Sequence, residues 1–186
     1  SPNVRARRLD LPAPSLEDQR ADAERIADGL GVPAESLDID PAALAEMSGV
    51  LRDHDFSVTA VLVGDRLAAV RPPGIESCCL GAAVDIGTTT VVAYLVDLTT
   101  GERLATASDL NPQARHGPDL ISRIEHVQST PAGLEDLRRS IVDLINRLLG
   151  ETTEQAGVRR RDIYEVSIVG NTCMHHFFLG INPREV

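Results

Sequence analysis

The sequence predicts an α/β protein in two parts, a small α+β unit over residues 1–72 and a unit built on a mixed sheet over residues 76–186. Helical and strand-like apolar patterns alternate through the first 72 residues. The run Pro72-Pro73-Gly74 then has the composition of a connection between domains. Directly after it, three apolar strands follow one another as a meander before any helix begins.

The first unit opens with a predicted strand over residues 4–11, which two closely spaced prolines end. Ser15 then has the character of a helix N-cap, with Asp18 three residues further on as in a capping box. The sequence Gly31-Val32-Pro33 is predicted to stop this helix. Its apolar face is predicted to consist of Leu16, Ala23, Ile26, Ala27 and Leu30.

A second helix is predicted to start at Asp40-Pro41, because proline is favoured in the first turn of a helix. Residues 57–63 and 67–71 flank Gly64-Asp65 and are predicted to pair as a hairpin. The residues of the helix that face the interior are predicted to be Leu44, Met47, Val50 and Leu51.

The second unit is predicted to begin with three strands, over residues 79–86, 90–98 and 103–108. The middle strand is apolar on both faces, which predicts an interior position in the sheet. A polar loop then leads to a helix starting at Leu120, and a later strand over residues 164–169 runs into a turn and a further helix. Between them lies a predicted amphipathic helix with apolar residues Leu134, Leu137, Ile141, Leu144, Ile145 and Leu148.

The bulk composition argues against several classes of function. The formal net charge of −10 disfavours a nucleic acid as partner, although local backbone groups can still bind a single nucleotide. No apolar run is long enough to span a membrane, and the first residues have no apolar signal-peptide core. The spacing of the cysteines suits neither disulfides nor a metal site, so we expect a reducing cytoplasm. We expect structural thiols at Cys78, Cys79 and Cys173.

The segment Asp85-Ile86-Gly87-Thr88-Thr89-Thr90 joins two apolar strands through a carboxylate, a glycine and three threonines. Gly87 permits close backbone approach, and the N–H groups and hydroxyls of Thr88, Thr89 and Thr90 can donate to phosphate oxygens. Asp85, expected near the tip of a buried strand, would then face a hydrated Mg²⁺ that bridges the phosphates. The alternative is a polar hairpin turn whose aspartate accepts hydrogen bonds from nearby backbone N–H groups.

A second polar segment follows the last predicted strand. Gly170, Asn171 and Thr172 stand at its carboxyl end and head a helix. They serve either as an ordinary N-cap or as a lining of the nucleotide cleft, and both roles are compatible.

Other polar residues carry weaker signals. His175 and His176 are adjacent on a helix and point about 100° apart, so they are not expected to share a metal ion. Arg115, His116 and Asp119 lie in the loop after the third strand of the second unit. They are either solvated loop residues or part of a surface that meets a substrate protein or another lobe, and the sequence leaves both open.

The order of elements and the motif "DIGTTT" resemble the first lobe of the ASKHA superfamily, which comprises acetate and sugar kinases, heat-shock ATPases and actin. Together with "NPQARHGPDLISRI" and "GNTCMHHFFLGINP", the motif resembles more narrowly the ATP-dependent reductive activators of corrinoid proteins. This resemblance covers residues 76–186, whereas residues 1–72 correspond to the family's middle domain by position and general character only.

The resemblance implies an ATPase that uses Mg²⁺ and returns an oxidised corrinoid protein to Co(I). Asp85 would be the catalytic residue and would hold Mg²⁺ through water, while residues 87–90 and 170–172 would bind the nucleotide. The family's [2Fe-2S] ferredoxin domain would lie outside this chain, because the sequence lacks the cysteine spacing for it. The second lobe is also missing, so we expect a fragment of a longer protein, and a homodimer is left open.

Two other functions are compatible with the same residues. The first is a small-molecule kinase of the ASKHA superfamily, which would transfer phosphate to a sugar or acid. The second is a nucleotide-sensing scaffold without turnover. Reduction of an oxidised corrinoid partner under anoxic conditions would distinguish the activator from both.

Overall fold

A computed structural model describes residues 3–74 and 79–184 of the chain. It divides into two compact units, the first formed by Ser1–Cys79 with Asp97–Thr100 and the second by Leu80–Val96 with Gly101–Val186. Each unit is built on its own four-stranded mixed sheet. This arrangement agrees with the predicted α/β class.

In its described residues, the first unit contains two α-helices and a sheet of strand order β1-β3-β4-β2. The elements are β1 (Val4–Asp10), α1 (Asp22–Leu30), β2 (Asp38–Ile39), α2 (Pro41–Asp53), β3 (Ser57–Val63) and β4 (Arg66–Arg71). Strand β3 is antiparallel to both β1 and β4, whereas the short β2 lies parallel to β4. The predicted hairpin is present, and Gly64 adopts a φ of 60° in its turn.

The first helix does not begin at Ser15, so that prediction was wrong. The Ser15 hydroxyl accepts hydrogen bonds from the N–H groups of Glu17 and Asp18, which closes a local turn instead. The fully buried Arg25 then donates to the Asp18 carboxylate at 2.7 Å and to the Pro12 carbonyl at 3.0 Å. These bonds hold residues 12–18 around the Arg25 guanidinium. Leu16, which was predicted to lie on the apolar face of the helix, is 89% exposed instead.

The inward face of α2 is also rotated from the predicted one. Its buried residues are Ala43, Met47 and Leu51, which are spaced four apart and form one stripe. Leu44 was predicted to face the interior but is 55% exposed. Asp40 caps the helix as predicted, accepting a hydrogen bond from the Ala42 N–H at 2.9 Å.

The second unit has strand order β7-β6-β5-β8 with three helices. The elements are β5 (Leu80–Ile86), β6 (Thr90–Asp97), β7 (Arg103–Leu110), α3 (Leu120–Ser129), α4 (Gly133–Ala156), β8 (Ile163–Gly170) and α5 (Thr172–Leu179). Strands β5, β6 and β7 are neighbours in chain order, as the predicted meander requires, and β6 is an interior strand. Strand β8 joins on the other side of β5 and runs parallel to it.

The core of the second unit lies between one face of the sheet and α4. Leu137, Ile141 and Leu148 on α4 are completely buried, which confirms the predicted amphipathic helix. Cys79 and Cys173 are buried, whereas Cys78 lies outside the described residues. Among the helices in the described ranges, none is long and apolar enough to cross a membrane.

Candidate functional site

The carboxyl ends of β5 and β8 bring the two polar segments of the second unit together. The strands are parallel, with Asp85 opposite Val169 and Ile86 opposite Gly170. The Asn171 side-chain amide therefore reaches the Thr88 hydroxyl at 3.4 Å. Residues that are 83 positions apart in the sequence thus form one edge, at a position where ligands commonly bind in α/β sheets.

Asp85 lies at this edge with its side chain exposed to solvent. Strand β5 is buried as expected, but the expected burial of the Asp85 carboxylate was wrong, because the alternating residues from Leu80 to Ile86 form the buried face. Within residues 3–74 and 79–184, nothing donates a hydrogen bond to the Asp85 carboxylate or pairs with it. The carboxylate of Asp85 is thus directed to solvent rather than held by the turn.

The turn after Asp85 is closed by its own backbone. The Gly87 N–H donates to the Thr90 carbonyl at 3.0 Å. A Cβ atom at position 87 would lie 2.5 Å from that same carbonyl oxygen. Glycine is therefore required here by the turn itself, whether or not a ligand approaches.

The carbonyl groups of the turn are all engaged, whereas two of its N–H groups are not. Asn111 donates to Gly87 O from its side chain and to Thr89 O from its backbone, both at 2.8 Å. Arg123 donates to Thr88 O at 2.8 Å. No acceptor for the backbone N–H of Thr88 or Thr89 is present in the described part of the chain. Consecutive unpaired N–H groups of this kind form a concavity that suits an anion.

The neighbouring segment over residues 170–172 leads from the end of β8 into α5. The Asn171 side chain accepts a hydrogen bond from the Met174 N–H at 3.0 Å, so the predicted N-cap is present. A Cβ atom at Gly170 would lie 3.0 Å from the Ile86 carbonyl oxygen, which explains glycine where the two strands meet. Asn171 and Thr172 are exposed, and their lining of a nucleotide cleft stays a prediction.

Asn111 and Arg123, which bind the carbonyls of the turn, were not singled out from the sequence. Both lie in the block "NPQARHGPDLISRI", and their bonds to the turn join residues 24 and 35 positions apart. One signal was available, since Arg123 falls between Leu120 and Val127 on the apolar face of α3. An arginine in such a stripe needs specific partners.

The other polar residues of the loop have local roles. Asp119 caps α3 by accepting from the Ser122 N–H at 2.8 Å, and this bond lowers the pKa of its carboxyl group. The rings of His116 and His126 lie 4.5 Å apart. Burial, the charge of His126 and the charge of Arg115 lower the pKa of His116. Whether this loop also meets a partner stays open.

The donor set at the edge suits a nucleotide phosphate with a hydrated Mg²⁺. Mg²⁺ commonly binds through one or two carboxylates, substrate phosphates and several waters, and the edge offers Asp85 and unpaired N–H groups. In the described ranges, no three His, Cys, Asp or Glu side chains are placed to hold a metal by themselves.

Comparison with protein families decides the relationship of the chain. The sequence model of the RACo middle region matches residues 80–186, and that of the RACo linker region matches residues 1–76. The chain belongs to the RACo family. The boundary between the two RACo regions lies close to the division between the units. From the sequence we expected a middle domain before this boundary and a first ASKHA lobe after it. The ASKHA assignment of the second unit stays a prediction.

Individual relatives agree with the RACo assignment. The corrinoid activation enzyme RamQ of Eubacterium limosum is 38% identical over 111 residues, which are 60% of this chain and 19% of RamQ. A solved reductive activator for corrinoid, iron-sulfur protein aligns with a TM-score of 0.78 and 35% identity, over 99% of this chain and 30% of that one. The chain thus spans less than a third of either relative.

Proposed function

We propose that this RACo-family chain provides the phosphate-binding part of an ATPase that drives reductive activation of a corrinoid protein. The observation that carries the proposal is the turn over residues 87–90. The N–H groups of Thr88 and Thr89 have no acceptor in the described ranges, and the exposed Asp85 carboxylate stands directly before them. Anion donors beside one unpaired carboxylate fit a metal-bound phosphate chain.

Each residue of the edge has a distinct role in this proposal. The N–H groups of Thr88 and Thr89 would donate to phosphate oxygens, with the hydroxyls of residues 88–90 as further donors. Asp85 would orient a water of the hydrated Mg²⁺, and bound Mg²⁺ neutralises charge that develops on the phosphates. Asn171, which already contacts the Thr88 hydroxyl, would line the same cleft together with Gly170 and Thr172.

The names of the relatives support the reductive activation of a corrinoid protein as the reaction. One is a corrinoid activation enzyme and the other is a reductive activator for a corrinoid, iron-sulfur protein. We propose that hydrolysis of ATP to ADP and phosphate drives an electron from a reduced [2Fe-2S] cluster to the oxidised cobalt, which yields Co(I). Both the cluster domain and the second nucleotide-binding lobe would belong to a longer chain, acting in the cytoplasm.

The test uses Asp85→Asn in the complete gene product, with Asp143→Asn on the exposed side of α4 as matched control. Asp85 is exposed and has no partner in the described ranges. The free energy of unfolding of the Asp85→Asn protein should therefore differ from the wild type by less than about 0.5 kcal/mol. Phosphate release and anoxic corrinoid reduction should fall by about 10²–10⁴-fold. Thr89→Ala should be milder, at about 0.5–1.5 kcal/mol for one lost donor.

Three results would contradict the proposal. An Asp85→Asn protein that hydrolyses ATP at the wild-type rate would refute the metal role of Asp85. Wild-type transfer of phosphate to a small hydroxyl compound, without corrinoid reduction, would indicate a kinase instead. ATP binding with neither activity would indicate a nucleotide-sensing scaffold.

A further inference from the structure

We propose that Arg123 and Asn111 are positioning residues of the phosphate site, and this inference rests on the function proposed above. Neither side chain would need to touch the nucleotide. Together they hold the carbonyl groups of Gly87, Thr88 and Thr89, so that the N–H groups of the same turn stay available for an anion. Arg123 also places a positive charge behind the turn.

In the turn, the carbonyl groups accept hydrogen bonds, whereas the N–H groups of Thr88 and Thr89 do not donate to described residues. Three successive carbonyls accept hydrogen bonds at 2.8 Å, two from Asn111 and one from Arg123. The N–H groups of Thr88 and Thr89 donate to none of the described residues. A turn that only needed stability could satisfy both kinds of group, whereas a preorganised anion site has its donors unpaired until the ligand binds.

Arg123 carries a buried charge that forms no salt bridge with a carboxylate among the described residues. Its side chain is fully buried, and its remaining bonds run to the Gly117 carbonyl at 2.9 Å and to the weakly accepting Met174 sulfur at 3.8 Å. No acid within the described residues forms a salt bridge with it. Burial accordingly lowers the pKa of Arg123, against the opposing charge of Asp119, yet a guanidinium stays protonated. A buried cation without a directly paired carboxylate is costly, and bound phosphates would add negative charge close to it.

The surrounding residues fix this guanidinium in place. A Cβ atom at Gly117 would lie 2.6 Å from the Ser122 Cβ and 2.8 Å from the Arg123 backbone nitrogen. Glycine therefore lets the loop close on α3, so that the Gly117 carbonyl reaches the Arg123 Nε. Asn111 is held in turn, because its Oδ1 accepts from the Gln113 N–H at 3.0 Å. Both positioning side chains thus have one fixed orientation.

The experiment compares Arg123→Met, which removes the charge and both carbonyl bonds, with Arg139→Met, where the side chain is 71% exposed. Binding of Mg·ATP and of adenosine to the complete gene product is measured by calorimetry. Arg123→Met should weaken Mg·ATP binding by about 10- to 100-fold, the value of one or two hydrogen bonds from the N–H groups of the turn to the phosphates, which the loosened turn would lose. Adenosine binding should not change, since adenosine carries no phosphate, whereas a general structural defect would weaken both.

A second readout is hydrogen exchange of the peptide that covers residues 87–90. In the wild type, Mg·ATP should slow exchange at this peptide, and in Arg123→Met the same saturation with nucleotide should protect it less. If Arg123→Met does not fold, Asn111→Asp takes its place. It is nearly isosteric and retains the cap to Gln113, but it turns the donor to Gly87 O into an acceptor.

The outcomes separate the two proposals. If Arg123→Met or its replacement binds Mg·ATP as tightly as Arg139→Met does, the positioning role is refuted while the phosphate site stands. Parallel loss of Mg·ATP and adenosine binding would also refute it, because the defect would then not be confined to the phosphates. If the wild-type protein binds no Mg·ATP, the proposed function itself fails.

Discussion

Two glycine-to-alanine substitutions in the second unit should change its stability in opposite directions. At Gly87, a Cβ atom would lie 2.5 Å from the Thr90 carbonyl oxygen, which is a backbone atom of the same turn. At Gly150, in the interior of α4, a Cβ atom would meet nothing within 4 Å. The substitution is chemically identical, so the difference between the sites reports the close contact in the turn together with the gain in helix propensity at Gly150.

The expected magnitudes follow from these surroundings. Overpacking that forces a backbone shift costs about 1–3 kcal/mol, and Gly87→Ala also strains the bond from the Gly87 N–H to Thr90 O. Gly150→Ala should stabilise by about 0.4–1 kcal/mol, because alanine restricts the unfolded chain and fits a helix. The two variants should therefore differ by roughly 1.5–4 kcal/mol in their free energy of unfolding.

Urea unfolding followed by tyrosine fluorescence is a suitable assay. Both tyrosines, Tyr94 and Tyr164, lie in the second unit, and the chain has no tryptophan. The signal therefore reports on the unit that carries both substitutions. The reasoning would be refuted if Gly87→Ala were as stable as the wild type, or if both variants shifted in the same direction.

Two further predictions concern packing and titration. Met47→Ala should destabilise the first unit by about 2–5 kcal/mol. Leu44→Ala should cost under about 0.5 kcal/mol, because the Leu44 side chain is half-exposed. Equal losses of stability in urea unfolding, followed by circular dichroism, would contradict the observed buried face of α2. Because the pKa of His116 is lowered in the folded state, the unfolded chain binds its proton more readily, so stability should fall as the pH drops from about 6.5 through the folded pKa. His116→Gln should flatten this dependence, and an unchanged slope would contradict the role of His116.

Periodicity in the sequence was sufficient for most of the second unit. The spacing of Leu137, Ile141 and Leu148 predicts which face of α4 is buried, because one face of a helix repeats every three to four residues. The doubly apolar β6 is likewise predicted as an interior strand. The short β2 over Asp38–Ile39 was not predicted, since its pairing with β4 depends on a strand far away in the sequence.

The beginning of α1 and the face of α2 were decided by tertiary contacts. Ser15 is followed by a suitable acid, and local rules therefore predict a cap, but the Asp18 carboxylate is bound by the buried Arg25 instead. A charge-assisted bond at 2.7 Å outweighs the small preference of a cap residue. Leu44 and Met47 are both apolar, and only the position of the sheet selects which of them is buried.

For the candidate site, the sequence by itself determined which chemical groups are present. Asp85, the glycine and the threonines can be read from one short motif, and Asn171 from its position before a helix. The tertiary structure alone decided that the carboxyl ends of β5 and β8 place them at one edge, and that Asn111 and Arg123 bind the carbonyls of the turn. The physical reason is that these bonds join residues 24 to 83 positions apart, and no local propensity encodes such a distance.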